Sequence, residues 1–505
     1  MSGRSLPALL RTNVLQRPET QSVDTSILRP VNFSQQGCKY VFEKKGILDS
    51  NSHLQMKLRV KTDNGVAVGA NEFKAYLPTS TGALCWVRRA YLTIGGRRIN
   101  NLDEVGQYNT WLRLHYSNEY KKGVVQVKQG GNDVFVGSTN KGLIAPSATA
   151  INARGYSAPY GVLGREATEY PINEIGDGAN ANPLSAGLMN TPEMDITTAP
   201  QQQLKGSFDN CPTFMVGLSQ LIPFMRGLQL PLFAINQEVA LNIEWSDDVA
   251  GVRFQPIQSA NGTLKTEFSE ADCLICADYL FYPDLMEGLA DEIMNKGGYD
   301  VPFDEVLVQE NHITLGSDGD TNTFDFQLAY GGKKVKSIVI QKQEVDGAQL
   351  ELNNVGVYNS VGYRLGKEIQ LNIDSKNWYS MPLKNNSLQK SEADQVEDGL
   401  PLMVCDYRWC WKGNVADDGT NAVLGLSSRE LNGYSQVAEC GSMNWDGIKL
   451  SNAFGQGKRV SNLPMIYSEK LVVNANDDAQ ERRYRFFVKT QRVANISSGI
   501  VNIIE

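Results

Sequence analysis

Leu228-Gln-Leu-Pro-Leu-Phe-Ala-Ile-Asn-Gln-Glu-Val-Ala-Leu-Asn-Ile-Glu-Trp245 places Val239, Leu241, Ile243 and Trp245 on one side of an extended chain and Glu238, Asn242 and Glu244 on the other. That is the period-two alternation of a half-buried strand. A second run, Cys273-Leu-Ile-Cys-Ala-Asp-Tyr-Leu-Phe-Tyr-Pro283, is largely apolar and stops at a proline, where a ladder would lose its donor. It leads into Asp284-Leu-Met-Glu-Gly-Leu-Ala-Asp-Glu-Ile-Met294, whose Leu285, Leu289 and Ile293 suit one face of a short helix. Lys296-Gly-Gly298 then breaks the chain, and strand signals resume at Glu305 to Gln309. The order is therefore strand, strand, short helix, new strand.

Outward from this junction the same signals recur. Upstream, strands are expected at Cys38 to Gly46, at His53 to Val60 and at Leu84 to Ile94, the last closed by the Gly95-Gly96 turn before Arg97. A helical turn is expected at Glu104 to Tyr116, with Tyr108, Trp111, Leu112 and His115 on one side. Downstream, strands are expected at Phe324 to Leu328, Lys334 to Lys342, Ile369 to Ile373 and Lys470 to Val473. Another is expected at Tyr484 to Thr490, with Tyr484, Phe486 and Val488 facing away from Arg483, Arg485 and Lys489. With 505 residues, 46 Gly and 20 Tyr, the composition suits a mostly-β chain of two domains.

From residue 121 to 206 the periodicity fails and Gly, Ala, Asn, Ser and Pro accumulate, as in Gly176-Asp-Gly-Ala-Asn-Ala-Asn-Pro183. So long an excursion is either a disordered insertion or a partner-contacting loop. The first 30 residues or so, with Pro7, Pro18 and Pro30, read as an arm. Its Arg4, Arg11 and Arg17 are either solvated or in contact with an acidic partner.

A net charge of −8 argues against a surface that coats nucleic acid, so no specific nucleic-acid binding is expected. No stretch reaches the roughly 20 apolar residues of a membrane span, and Leu6 to Leu10 is too brief for a signal-peptide core. Folding in a cytosol or nucleus is the expectation. Eight cysteines are too sparse for a disulfide scaffold. Cys273 and Cys276 have CxxC spacing, but on a strand they point to opposite faces, and Cys405 and Cys410 lack a second ligand pair. Buried structural thiols are expected, and no cofactor.

Other chemistry fails on spacing, and no catalytic, cofactor-binding or metal-binding residue is assigned. A phosphate loop in Asn452 to Arg459 would need Gly at 452 and Ser or Thr at 459. Asp318 to Asn322 starts like a calcium loop but has Thr323 and Ala329 where Gly and Glu are required. His53, His115 and His312 are far apart. The paired acids Asp247-Asp248, Asp417-Asp418 and Asp477-Asp478 fall in expected turns and not across a glycosidase cleft. Trp378-Tyr379 and Trp409-Cys-Trp411 could stack on sugars or anchor a core. Sequons at Asn32, Asn261, Asn385 and Asn495 are read as chance matches.

Several segments together resemble the double jelly-roll major capsid proteins of large DNA viruses, virophages and polinton-like elements. Lys44 to Leu54 followed by Arg88 to Gly96 is similar to the opening of the first barrel. Leu228 to Trp245 resembles its penultimate strand region and Ala277 to Phe281 its last strand. Leu307 to Glu310 resembles the start of the second barrel, and Asn495 to Ile504 the terminal strand. Met286-Glu-Gly288 departs from the acid-arginine pair of the larger viruses and points to a small-genome relative.

The resemblance implies an all-β chain of two consecutive eight-stranded jelly-roll barrels with long loops and a short linker helix. Its expected parts are an arm at 1–32, a first barrel at 33–284 carrying the 121–206 loop, a linker at 285–298 and a second barrel at 299–505. It further implies a virion location and a homotrimer of pseudo-hexagonal outline tiling an icosahedral shell, assembled in the host cytoplasm or nucleus. Neighbouring capsomers, penton and minor capsid proteins would be the partners, with the arm reaching them or an internal membrane. Truncating residues 1 to 30 would then leave the trimer intact but impair shell closure. A jelly-roll carbohydrate- or receptor-binding protein of a virion is the alternative.

Overall fold

The computed structural model describes residues 22–62, 73–76, 82–113, 124, 127–129, 213–226, 229–246, 255–259, 264–295, 297–317, 319–344, 368–384, 396–397, 400–401, 446–452, 455–461, 463–472 and 481–504. Eight principal strands make the first half: β1 (Ser22–Leu28), β2 (Gly37–Val41), β3 (His53–Thr62), β4 (Val87–Ile94), β5 (Arg97–Asp103), β6 (Thr213–Gly217), β7 (Val239–Trp245) and β8 (Leu274–Phe281). Helix α1 (Val105–Arg113) follows β5, and α2 (Pro283–Asn295) links the halves. The second half has β9 (Tyr299–Thr314), β10 (Thr321–Leu328), β11 (Lys334–Glu344), β12 (Glu368–Ile373), β13 (Lys376–Asn377), β14 (Asp446–Lys449), β15 (Met465–Val472) and β16 (Glu481–Ser497), then β17 (Ile500–Ile504).

Hydrogen bonding orders the first half as β1-β8-β3-β6 in one sheet and β2-β7-β4-β5 in the other. The second half runs β9-β16-β11-β14 and β10-β15-β12-β13. Adding eight to each member of the first order gives the second. The halves wind identically without repeating in sequence.

Alternation decides which face of each strand is buried. In the first half Leu54, Met56, Leu241, Ile243, Ile275, Ala277 and Tyr279 are buried between the sheets, with Trp245 stacked on Phe268 at 4.3 Å. In the second half Phe326 lies among Tyr484 at 4.7 Å, Phe486 at 5.3 Å and Tyr467 at 6.1 Å. That core also holds a fully buried Lys342–Glu469 pair at 2.8 Å, whose carboxylate accepts a further bond from the Tyr467 hydroxyl at 3.0 Å. Burial of two charges is tolerable only with such pairing and extra hydrogen bonds.

Tight turns fix the hairpins. The β4–β5 turn has Gly95 at φ 58° and Gly96 at φ 78°, and the matching β12–β13 turn uses Asp374 and Ser375 at φ 53° and 62°. Positive φ at both central residues is the requirement of the hairpin turn that matches strand twist. Asp374 accepts the Ser461 backbone N–H and its hydroxyl, which steadies a conformation glycine would adopt freely.

Several expectations need correction. The supposed arm contains a barrel strand, because Ser22–Leu28 is β1, paired along its length with β8. The barrel therefore starts ahead of the expected residue 33, and a cut at residue 30 would remove a strand as well as an arm. Gln229 to Ala234 forms no regular strand, only a single bridge of Leu230 to Leu48. Pro231 opens a 3-10 turn at Leu232–Ala234, and Leu230, Leu232 and Ile235 are buried beneath it. Leu84 to Trp86 likewise belongs to a 3-10 turn (Gly82–Trp86) that precedes β4. Cys38 to Gly46 is strand only to Val41. The terminal strand is a hairpin, since Ser498 and Gly499 at φ 51° and 79° fold β17 back on β16. The 121–206 loop, apart from residues 124 and 127–129, lies outside the described residues.

Candidate functional site

The second half presents the outer face of its β9-β16-β11 sheet to the first half. Phe487, Val339 and Val306 are buried there in a cluster continuous with the first core. The first half covers them with α1, with β5 and with the turn Pro223–Met225. Tyr108 of α1 meets Phe487 at 5.4 Å, and Phe224 meets Phe303 edge-on at 4.8 Å. Asn100 of β5, fully buried, donates to the Asp304 carbonyl at 3.2 Å and accepts from the Phe224 N–H at 3.4 Å. Both amide atoms of Asn100 thereby find a partner as they leave water.

Charge crosses the seam as well. Arg485, buried on β16, pairs with Glu310 at 2.8 Å and reaches Glu104 of the first half at 3.8 Å. Lys336 and Lys489 converge on Asp304 at 3.0 and 3.2 Å, and Arg492 meets Glu305 at 3.3 Å. Burial pushes the Glu310 carboxyl up, but Arg485 and Arg483 outweigh it and hold the group below the usual carboxylate range. Arg485, expected to face away from Tyr484, Phe486 and Val488, is thus interfacial. Phe487, an apolar residue between Arg485 and Lys489, was the available signal that this face is covered.

The β16–β17 hairpin adds a latch. Asn236 of the first half donates its N–H to the Gly499 carbonyl at 2.9 Å, and the Gln237 side chain accepts from the Val501 N–H at 3.0 Å. A Cβ on Gly499 would run into the Asn236 amide. Gln237 also abuts the Gly95 turn, so the hairpin tip marks corresponding ends of the two halves.

The equivalent outer face of the first half, on β1-β8-β3, buries Leu280 opposite Val23 but leaves its β1 edge bare among the described residues. Val23 is 58% exposed and Ile27 64%. Across the sheet Ile27 pairs with Cys276, which pairs with His53, while Thr25 donates to Asp278 at 2.6 Å. Burial, with Lys128 nearby, holds His53 below its usual range.

The remaining sequence candidates fall into place. Cys273 is buried, its thiol pushed up to about 12 by desolvation, whereas Cys276 points to the opposite, half-exposed side. Trp378 and Tyr379 are half-buried against the second core, with the Lys458 ammonium 4.9 Å above the Trp378 ring. The Asp320 carboxylate accepts the Ser317 N–H in a surface turn. Lys458–Arg459 is a short strand paired with β11. His312 pairs with Glu310 at 3.0 Å. Asp318, His115, Cys405, Cys410, Trp409, Trp411 and the three acid pairs lie outside the described residues. Among the described residues no group of three or more His, Cys, Asp or Glu could hold a metal ion.

Comparison with solved structures matches this architecture over its whole length. The crystal structure of PBCV-1 VP54 fitted into a reconstruction of the virophage Sputnik superposes with a TM-score of 0.51 at 11% identity, covering 97% of this chain and 98% of that one. The chain is a double jelly roll. The Sputnik virophage structure at 3.5 Å resolution aligns at TM-score 0.49 and 10% identity, covering 97% of this chain and 89% of the other. The mavirus major capsid protein aligns at 0.46 and 9%, covering 95% and 90%. No family model matches the sequence, and no curated protein does.

Proposed function

We propose that this double jelly roll is a major capsid protein. Three copies close into a pseudo-hexagonal capsomer that tiles the facets of an icosahedral DNA virus shell, in a virion assembled in the host cytoplasm or nucleus. Its role is structural, and its partners are further copies, the penton and minor capsid proteins. The segment before Ser22 supplies the arm that ties capsomers to these partners or to an internal membrane.

One observation carries the reading. Among the described residues, the β5–α1 side of the first jelly roll covers the outer β9-β16-β11 face of the second, while the β1 edge of the corresponding β1-β8-β3 face is left open with Val23 and Ile27 exposed. A contact between unlike surfaces of two similarly folded units leaves one surface of each kind unused. Such a heterologous contact is satisfied by further copies and closes as a ring when the rotation permits. Negative-stain images of the purified chain test this. Six-lobed particles of hexagonal outline are expected, and monodisperse two-lobed particles would refute the proposal.

A further inference from the structure

Helix α2 carries an acidic, exposed face. At 100° per residue, Ile293, Met286 and Leu289 lie on one side, and of these Ile293 is buried. Asp284, Glu287 and Asp291 form the opposite stripe, flanked by Glu292, with no Lys or Arg in the helix. Leu285 and Met294 border it at 50% and 69% exposure. The surface is anionic with apolar margins.

The second jelly roll ends in the opposite character. Three connections meet there: Tyr330 to Lys333 before β11, the Asp374-Ser375 turn, and Lys458 to Ser461. Gly332 donates to Val460 and Ser461 at 3.0 and 3.1 Å, Val460 donates to Lys333 at 3.0 Å, and Ser461 donates to Asp374 at 3.1 Å. They gather Lys333, Lys334, Lys376, Lys458 and Arg459 around the single carboxylate of Asp374, and none of these five cations is in an ion pair with a described residue. Leu463, two residues beyond Ser461, is 52% exposed. This patch is cationic with an apolar member.

Both surfaces lie at one end of the molecule. Helix α2 runs from the end of β8 to the start of β9, and Tyr299 there pairs with Ile496 near the hairpin tip. Lys334 at the start of β11 pairs with Gln491 of the same strand β16 and with Arg459. Among the described residues α2 packs chiefly on β9 and β16.

We propose that α2 of one copy docks on the cationic end of the second jelly roll of a neighbouring copy, as a lateral contact between oligomers. It rests on the self-assembly proposed above. Charge complementarity of this kind selects and orients partners, and the exposed leucines and methionine add apolar area to the contact. A nucleic-acid backbone or an anionic bilayer would satisfy the cations but would leave the acidic helix without a role.

Two charge-reversed chains test the contact: Glu287→Lys with Glu292→Lys, and Lys376→Glu with Arg459→Glu. All four side chains are exposed or lie on turns and short strands, so thermal midpoints are expected to stay within a few degrees of wild type. Sedimentation should show each variant keeping the basic oligomer while losing larger assemblies roughly tenfold. An equimolar mixture should recover them, because an acidic patch then meets a basic helix and a basic patch an acidic one. Normal assembly of either variant alone, or a mixture that stays unassembled, overturns the inference. A wild-type oligomer of about 167 kDa, three chains of 55.8 kDa, that goes no further overturns this contact but not the capsomer. A stable monomer overturns both.

Discussion

The two jelly rolls have the same strand order, yet their corresponding outer sheet faces meet different fates. On the second, Phe487, Val306 and Val339 are buried under the first half and the charges around them are paired across or along the seam. On the first, Val23 and Ile27 stand in solvent. Topology therefore does not determine which sheet faces water. The side chains do: aromatic and aliphatic residues among paired ions where the chain supplies its own cover, and lone apolar residues among small polar ones where, among the described residues, it supplies none.

The contrast can be broken most severely at β1. Deleting Ser22–Leu28 removes seven paired residues and bares the edge of β8, at a cost on the order of 5 kcal/mol if each lost bond is worth about 1. Calorimetry should show a strongly lowered transition or insoluble protein. Full stability would return these residues to the arm.

Next in size is the seam. Phe487→Ala should lower stability by about 3–5 kcal/mol, the usual cost of emptying an aromatic site, read from denaturant unfolding. By contrast, Val23→Ser with Ile27→Ser on the uncovered face should change monomer stability by less than about 0.5 kcal/mol. Equal losses at both faces would remove the distinction between them.

Smaller still is the latch. Gly499 combines φ 79° with close approach to Asn236, so Gly499→Ala should cost roughly 1–2 kcal/mol. Asn236→Ala should recover part of the loss by making room for the new methyl group. A neutral Gly499→Ala would show that the hairpin does not bear on the first half.

The mildest effect is a pH dependence. Glu310 is held below its unfolded value, so it binds fewer protons folded than unfolded over the interval between the two. Its contribution is present above the unfolded carboxylate range and is lost as pH falls through the folded value. Thermal midpoints should therefore drop more on acidification for wild type than for Glu310→Gln. Parallel curves would deny the group a role in holding the seam.

Much of this was legible in the chain. Phe324 to Leu328 and Ile369 to Ile373 alternate because one face of each meets a core and the other is more exposed, and Val239 to Trp245 does so from Leu241 on. Strand β1 was not legible, since Ser-Val-Asp-Thr-Ser-Ile-Leu buries only Leu28 and an edge strand needs little apolar content. The buried turn at Leu232–Ala234 was not legible either, because Pro231 signals a break in a strand but not the shape that follows it. The seam was harder, because Arg485 and Lys489 look solvated in sequence and become interfacial only when β9 and α1 bring Glu310, Asp304 and Glu104 to them. The open face on β1 could not be foreseen without β1 itself.

The central claim is that the uncovered β1-β8-β3 face receives another copy. Light scattering on the wild-type chain and on the Val23→Ser, Ile27→Ser variant addresses it directly. About 167 kDa, three chains of 55.8 kDa, or assemblies of such units for the first, and 55.8 kDa for the second, is the expected result. The same mass for both would contradict it.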